Sequence, residues 1–283
     1  MSKFDPFLNQ RIAKAILWFL ALLTLGILFL IIGCILVNGL PVIFKNPRFL
    51  ISNPEQMGKS GGILAPVLGT VVLTFMAVVV ATPISLLTAI FLNEYRRETT
   101  FTKLVRFGTE CLSGIPSIIF GLFGFAFFVV FLRLGWSILS GSLTLSFMIL
   151  PTIIRTTEEA LKTVPRNYRE VAFAAGATRW QTITKVVLPT ALPGIITGII
   201  LGIGRCVGET AATIFTAGMA LRMPTSLFSS SRTLAVHFYI IAREGISLEN
   251  AFASAAVLVI LILVINLTAN WLMRRFIARE IGN

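Results

Sequence analysis

The chain has 283 residues, of which 56% are hydrophobic and 13% charged, with a mean hydropathy of +0.89. That balance excludes an ordinary water-soluble domain. The formal charge of +12 invites a nucleic-acid reading, but most of the 24 lysines and arginines fall on one side of the apolar runs, the asymmetry of the positive-inside rule.

Lys3, Arg11 and Lys14 precede an apolar run from Ala15 to Val37. The run is too long for a signal-peptide core and no small-residue cleavage site follows, so it predicts an uncleaved membrane helix with a cytoplasmic N-terminus. Residues 38–62, with Asn53-Pro54 and Gly61-Gly62, read as an external loop. A second span is expected from about Ile63 to Leu92, with Pro66 and Pro83 tolerated where neighbouring helices cover the freed carbonyls. Asn93 to Gly108, with Arg96, Arg97, Lys103 and Arg106, is expected to be a cytoplasmic loop. The third span, Thr109 to Leu132, contains Ser113-Gly114-Ile115-Pro116-Ser117 and then an aromatic run. Its chemistry favours a kinked packing helix over a broken one.

The fourth span, Ile138 to Thr156, returns the chain to the cytoplasm at its longest polar, cation-rich segment, Glu158 to Pro189. There Pro165 is expected in a first helical turn. Tyr168, Val171, Ala172 and Ala175 follow at helical spacing. Gly176 is expected to be a left-handed stop, and Thr178 with Gln181 a capping box opening a second short helix. Two short helices about a glycine corner form a knob that another protein could grip.

The fifth span, Leu192 to Gly218, carries Gly194, Gly198 and Gly202 on one face, a spacing that lets two backbones approach closely. Near its centre lies Arg205, where a charge costs several kcal/mol unless paired or wetted. Glu209, four residues on, is expected to reach it on the same helix face. A guanidinium at membrane depth invites an oxyanion, because its planar fork matches phosphate oxygens two at a time. Residues 219–249 form a second external segment, whose apolar stretch Leu234 to Ala242 is too short to span. A last span from Ala251 to Met273 is anchored inside by Arg274, Arg275 and Arg279.

Cys34, Cys111 and Cys206 fall in different spans and read as small packing residues, with no metal site or disulfide. His237, beside Phe238 and Tyr239, reads as a packed or interfacial imidazole. There is no GxxxxGK[ST] loop and no convincing nucleophile–base pair, so catalysis is not expected in this chain and any ATP must be bound by a partner.

Glu170, Ala172, Gly176, Val186, Leu188 and Pro189 stand at the spacing of the EAA loop of ATP-binding-cassette import permeases, with Val171 and Val186 replacing the usual alanine and isoleucine. Ser113 to Phe125 (SGIPSIIFGLFGF), Arg155 to Leu161 (RTTEEAL) and Gly208 to Ala212 (GETAA) resemble the phosphate-specific permeases, and within them the A-type subunit. The resemblance implies an all-α integral membrane protein with the type I importer permease fold, six transmembrane helices and both termini cytoplasmic in a bacterial inner membrane. Residues 63–283 would form the permease domain, with the coupling loop at 158–189, after an N-terminal helix and external loop over 1–62.

It further implies half of the pathway of an ATP-driven phosphate importer. The partners would be a second, C-type permease, two copies of an ATP-binding subunit that hold ATP and Mg, and an external phosphate-binding protein. No cofactor is expected in this chain. On matching positions, Arg205 and Glu209 become pathway candidates, and Glu170, Ala172, Gly176, Leu188 and Pro189 become ATPase-coupling candidates. Arg155 and Glu158 form a second pathway pair, which positive-inside anchoring explains equally well. Sulfate or molybdate transport is the near alternative. An intramembrane enzyme using Glu209 and a passive anion channel are the distant ones, and a channel leaves the docking loop unexplained.

Overall fold

The computed structural model describes residues 6–95 and 99–281, with side chains for residues 10–95, 99–271, 274 and 275. Lys3, Arg96 and Arg97 lie outside the described residues, and Arg279 outside the described side chains. Apart from one short hairpin, the regular structure described is helical, as a bilayer demands of a chain that must satisfy its own backbone.

Helix α1 (Pro6–Lys45) continues through Pro41, well past the expected end at Val37. A 3₁₀ turn (Pro47–Leu50) and a two-stranded antiparallel hairpin, β1 (Pro54–Glu55) and β2 (Ser60–Gly61), lead to α2. Helix α2 (Leu64–Ile90) ends in a π-helical turn, Phe91–Tyr95. The expected loop before the third span is mostly helix: Thr99 and Thr102 cap each other reciprocally and open α3 (Thr100–Gly114).

The third span is broken, not kinked. Ile115 is extended (φ −74°, ψ 131°), the conformation that a following proline enforces. Helix α4 (Ser117–Gly124), prolonged by a π-helical stretch to Phe131, leaves α3 at 103°. Helix α5 (Ile138–Thr163) is capped by Ser137, whose hydroxyl accepts from the Ser140 amide at 3.2 Å. The loop helices α6 (Arg166–Ala174) and α7 (Arg179–Thr182) follow, then a π-helical turn (Ile183–Val187) and α8 (Leu188–Val207). Short helices α9 (Ala211–Thr216) and α10 (Leu234–Arg243) precede α11 (Leu248–Ile281). Among the described residues five helices are long and apolar enough to cross a membrane, and the bent α3–α4 pair, taken as one span, brings the number to six.

Helix α5 is the axis of the molecule. Leu145, Met148, Ile149 and Ile153 on it pack with Leu73, Ala77 and Ala81 of α2 and with Cys206 of α8. The glycine face of α8 permits this. A methyl group on Gly194 would lie 2.5 Å from the Ala160 β-carbon, one on Gly198 would overlap the Thr156 hydroxyl, and one on Gly202 would meet Ile153 at 3.3 Å. A second cluster joins Ile90 and Leu92, Leu161 and Val164, and Ile183 and Val187 at the coupling-loop end. Cys206 is buried as a packing residue, whereas Cys34 and Cys111 are exposed on the apolar exterior. Leu20, Leu23 and Phe29 of α1 are likewise exposed, as a lipid-facing helix requires.

Candidate functional site: a charged helix end and an exposed coupling knob

The α5–α8 pairing fixes the depth of Arg205. Gly194, Gly198 and Gly202 climb past Ala160, Thr156 and Ile153, so one turn later Arg205 is level with the middle of α5. That is roughly 18 Å below the end of α5 opposite the coupling loop, at about 1.5 Å per residue. Arg205 occupies the last turn of α8, where the helix dipole favours a cation. It is half-buried, and among the described residues no carboxylate lies within ion-pairing distance of it.

The expected Arg205–Glu209 pair is therefore absent. The expectation assumed one continuous helix to Gly218, but α8 stops at Val207. Gly208 donates to Gly204 and the Glu209 amide to the Cys206 carbonyl, winding the chain out of the helix. The Glu209 carboxylate then accepts from the Ala212 amide at 3.3 Å and caps α9. It sits beside Arg205 in sequence without neutralising it.

Arg155 and Glu158 do not pair with each other either. Each reaches across to α3. Arg106 donates to Glu158 through Nε and approaches it with Nη2, both at 3.2 Å, and this carboxylate is almost buried. Arg155 meets Glu110 at 3.9 Å, with both side chains about two-thirds exposed. These residues, with Thr109, Ser113 and Pro151, line a small cleft at the coupling-loop end.

The knob has the expected local chemistry. Gly176 is left-handed (φ 83°), and Thr178 and Gln181 form the reciprocal capping box. Pro165 sits one residue before the expected place, at the cap of α6, with ψ 140°. No residue of α6 is buried. Glu170 is exposed, Ala172 half-buried, and Tyr168, Val171 and Phe173 present apolar surface, Val171 being 69% exposed. Leu188 and Pro189 lie apart from this surface, half-buried in the first turn of α8, with Leu188 packed on the inner core. The candidates thus divide into an exposed face (Glu170, Ala172, Gly176) and its footing (Leu188, Pro189).

Sequence reading missed what holds the knob. Arg169 of α6 grips Glu94 in the π turn ending α2: Nε donates to one carboxylate oxygen at 3.1 Å and Nη2 to the other at 2.6 Å. The same guanidinium donates to the carbonyls of Val164 (2.9 Å) and Leu161 (3.0 Å) at the end of α5. The available signal was Glu94 itself, one of two acids, with Glu98, in a basic inner segment.

Residues 81–281 match the family of binding-protein-dependent transport system inner membrane components. The chain belongs to that family. It is a multi-pass permease of the inner membrane. The probable ABC transporter permease protein YqgI of Bacillus subtilis is 32% identical over 94% of this chain and 95% of its own length. The phosphate transport system permease protein PstA 1 of Mycobacterium tuberculosis is 35% identical over 80% of this chain and 73% of its own. PstA of Xylella fastidiosa is 33% identical over 84% and 83%. Among solved structures, the inward-facing MetNI methionine ABC transporter is similar at TM-score 0.65, with 22% identity, covering 76% of this permease and 95% of that chain. A bacterial alginate ABC transporter in complex with its alginate-loaded periplasmic protein is similar at TM-score 0.67, with 18% identity over 95% and 97%. The fold is that of the type I importer permeases.

Proposed function

We propose that this permease is a membrane subunit of an ATP-driven inorganic phosphate importer and forms half of its pathway. The observation that carries the reading is Arg205, a half-exposed guanidinium at membrane depth with no carboxylate to neutralise it among the described residues. Such a group is costly in a bilayer unless it is paired or wetted, and an unpaired one that faces a pathway is suited to an anion. The relatives PstA and PstA 1 are phosphate transport system permease proteins, which supports phosphate as that anion. Arg155, weakly held by Glu110 at the inner cleft, offers a second contact near the exit. Glu158 acts there by fixing Arg106, and Glu209 by shaping the break beside Arg205.

The exposed face of α6 takes the ATPase, whose ATP and Mg stay outside this chain. A complex of this permease with a C-type permease, two ATPase copies and an external phosphate-binding protein completes the machine, with both termini of this chain cytoplasmic. The test is phosphate uptake at matched abundance of assembled complex. Arg205→Lys keeps the charge but loses the planar fork, and should leave partial transport. Arg205→Gln should abolish it. Near-normal uptake in Arg205→Gln would remove the arginine from the pathway, and inhibition by sulfate or molybdate as strong as by unlabelled phosphate would assign a different oxyanion.

A further inference from the structure

We infer that the Arg169–Glu94 pair is the linkage through which the coupling knob moves α2; the inference rests on the importer reading given above. The covalent chain ties the knob to only two membrane helices. Val164 and Pro165 join α6 to α5, and α7 with the following π turn runs into α8. Helix α2, which packs closely on α5 and carries much of the central core, has no covalent route to the knob. Arg169 supplies a non-covalent one. Its guanidinium makes two bonds to Glu94 and one to each of two α5 carbonyls, so α6, α2 and α5 meet at one planar group.

The pair is built to hold. Arg169 and Glu94 are 17% and 9% exposed at the side chain, and Asn93 Nδ2 donates to the Glu94 carboxylate at 2.9 Å. A largely shielded, bidentate ion pair is costly to break by removing one partner, because the other is left mostly out of water and uncompensated. The rest of α6 provides little to replace it, since no residue of that helix is buried. A second contact reinforces the same turn: the Arg179 guanidinium of α7 lies 5.8 Å from the Tyr95 ring centroid. That distance is the outer limit of a cation–π contact, weaker than the bidentate pair. Both contacts fall on the π-helical turn that ends α2, a departure from regular helix of the kind that recurs at functional sites. Arg169 thus acts as a positioning residue, through Glu94 and the end of α5.

The variants Arg169→Met, Arg169→Lys and Glu94→Gln test this in the full complex, through phosphate uptake, ATP hydrolysis and ATPase recovery with the tagged permease. Arg169→Met should keep recovery and hydrolysis within about twofold while uptake per assembled complex falls by about tenfold or more, the signature of a severed link. Arg169→Lys should restore part of the uptake through its charge, and Glu94→Gln should lie between Arg169→Met and wild type. Uptake in Arg169→Met that stays within about twofold of wild type, or that falls only in proportion to ATPase recovery, overturns the linkage. Failure of the wild-type permease to recover any ATPase would instead sink the importer reading. The linkage is then still read from the full chain in membranes: trypsin should cut at Arg166 and Arg179 about tenfold faster in Arg169→Met, because α6 loses its anchor. Unchanged cleavage overturns it.

Discussion

At the scale of single residues, Glu209 shows how a charge pattern misleads when a helix ends. Spacing of i and i+4 makes an ion pair only if both residues share one helix, and Gly208 ends it first. The carboxylate then serves as an acceptor for α9, which Gln can also supply. Glu209→Gln should retain more uptake than Glu209→Ala, which loses the cap at a cost of about 1 kcal/mol. Equal losses in the two variants would assign the negative charge itself to transport. His237 makes a separate prediction. It is 1% exposed on α10, Nδ1 has no hydrogen-bond partner among the described residues, and burial, with the Arg232 cation adding, lowers its pKa from 6.5 to about 4. Between those values the unfolded chain binds more protons than the folded one, so stability falls as pH drops from about 6.5 and levels off below about 4, a loss of roughly 3 kcal/mol. His237→Leu should flatten the thermal midpoint across that window relative to wild type. An unchanged pH profile would place the acid sensitivity elsewhere.

At the scale of elements, features set by a few neighbouring residues were legible and those set by distant ones were not. The Gly176 corner, the Thr178–Gln181 box and the α8 glycine stripe all stand where sequence reading expects them, because each is fixed within one or two turns. The Ile115–Pro116 break was ambiguous, since a membrane proline can kink a helix or end it, and only packing on α5 and α9 decides. The grip of Arg169 on Glu94 spans 75 residues and leaves no local mark. Of the candidate site, the exposed face of the knob was readable and its anchor was not. Gly176 gives the test at this scale. No atom lies within 4 Å of a β-carbon added there, so a substitution acts through backbone conformation alone. A left-handed β-branched residue costs on the order of 1–2 kcal/mol, whereas Asn visits that region readily. Gly176→Val should weaken ATPase recovery and uptake, with normal membrane insertion, and Gly176→Asn should keep both. Equal behaviour of the two variants would show that the left-handed corner is irrelevant to docking.

At the scale of the whole molecule, the fold makes two ends whose sidedness labelling can decide. One end gathers the close of α2, the close of α5, the start of α8 and the knob, joined by the Arg169–Glu94 and Arg106–Glu158 pairs. The other gathers the start of α5, where the Ser137 amide donates to Thr216 and the Ile138 amide to Ser229, and the β-hairpin, where Asn250 donates to the carbonyls of Gly58 and Lys59. Helix α5 has 26 residues, about 39 Å at 1.5 Å each, which exceeds the roughly 30 Å hydrocarbon core. Its two ends therefore lie in different compartments. Gly39 near the close of α1 meets Phe252 and Ala256 near the start of α11, so these helices run antiparallel and the N-terminal part of α1 points to the knob end. By the positive-inside rule the lysine and arginine excess at that end predicts a cytoplasmic position for it, which labelling tests. In a variant lacking Cys34, Cys111 and Cys206, cysteines replacing the exposed Lys14 and Arg166 should react with an impermeant maleimide only after permeabilisation. Cysteines replacing the exposed Lys59 and Ser226 should react in intact cells. External labelling of position 166 would invert the molecule and detach the knob from any cytoplasmic ATPase. External labelling of position 14 alone would leave the knob inside and break only the assignment of α1.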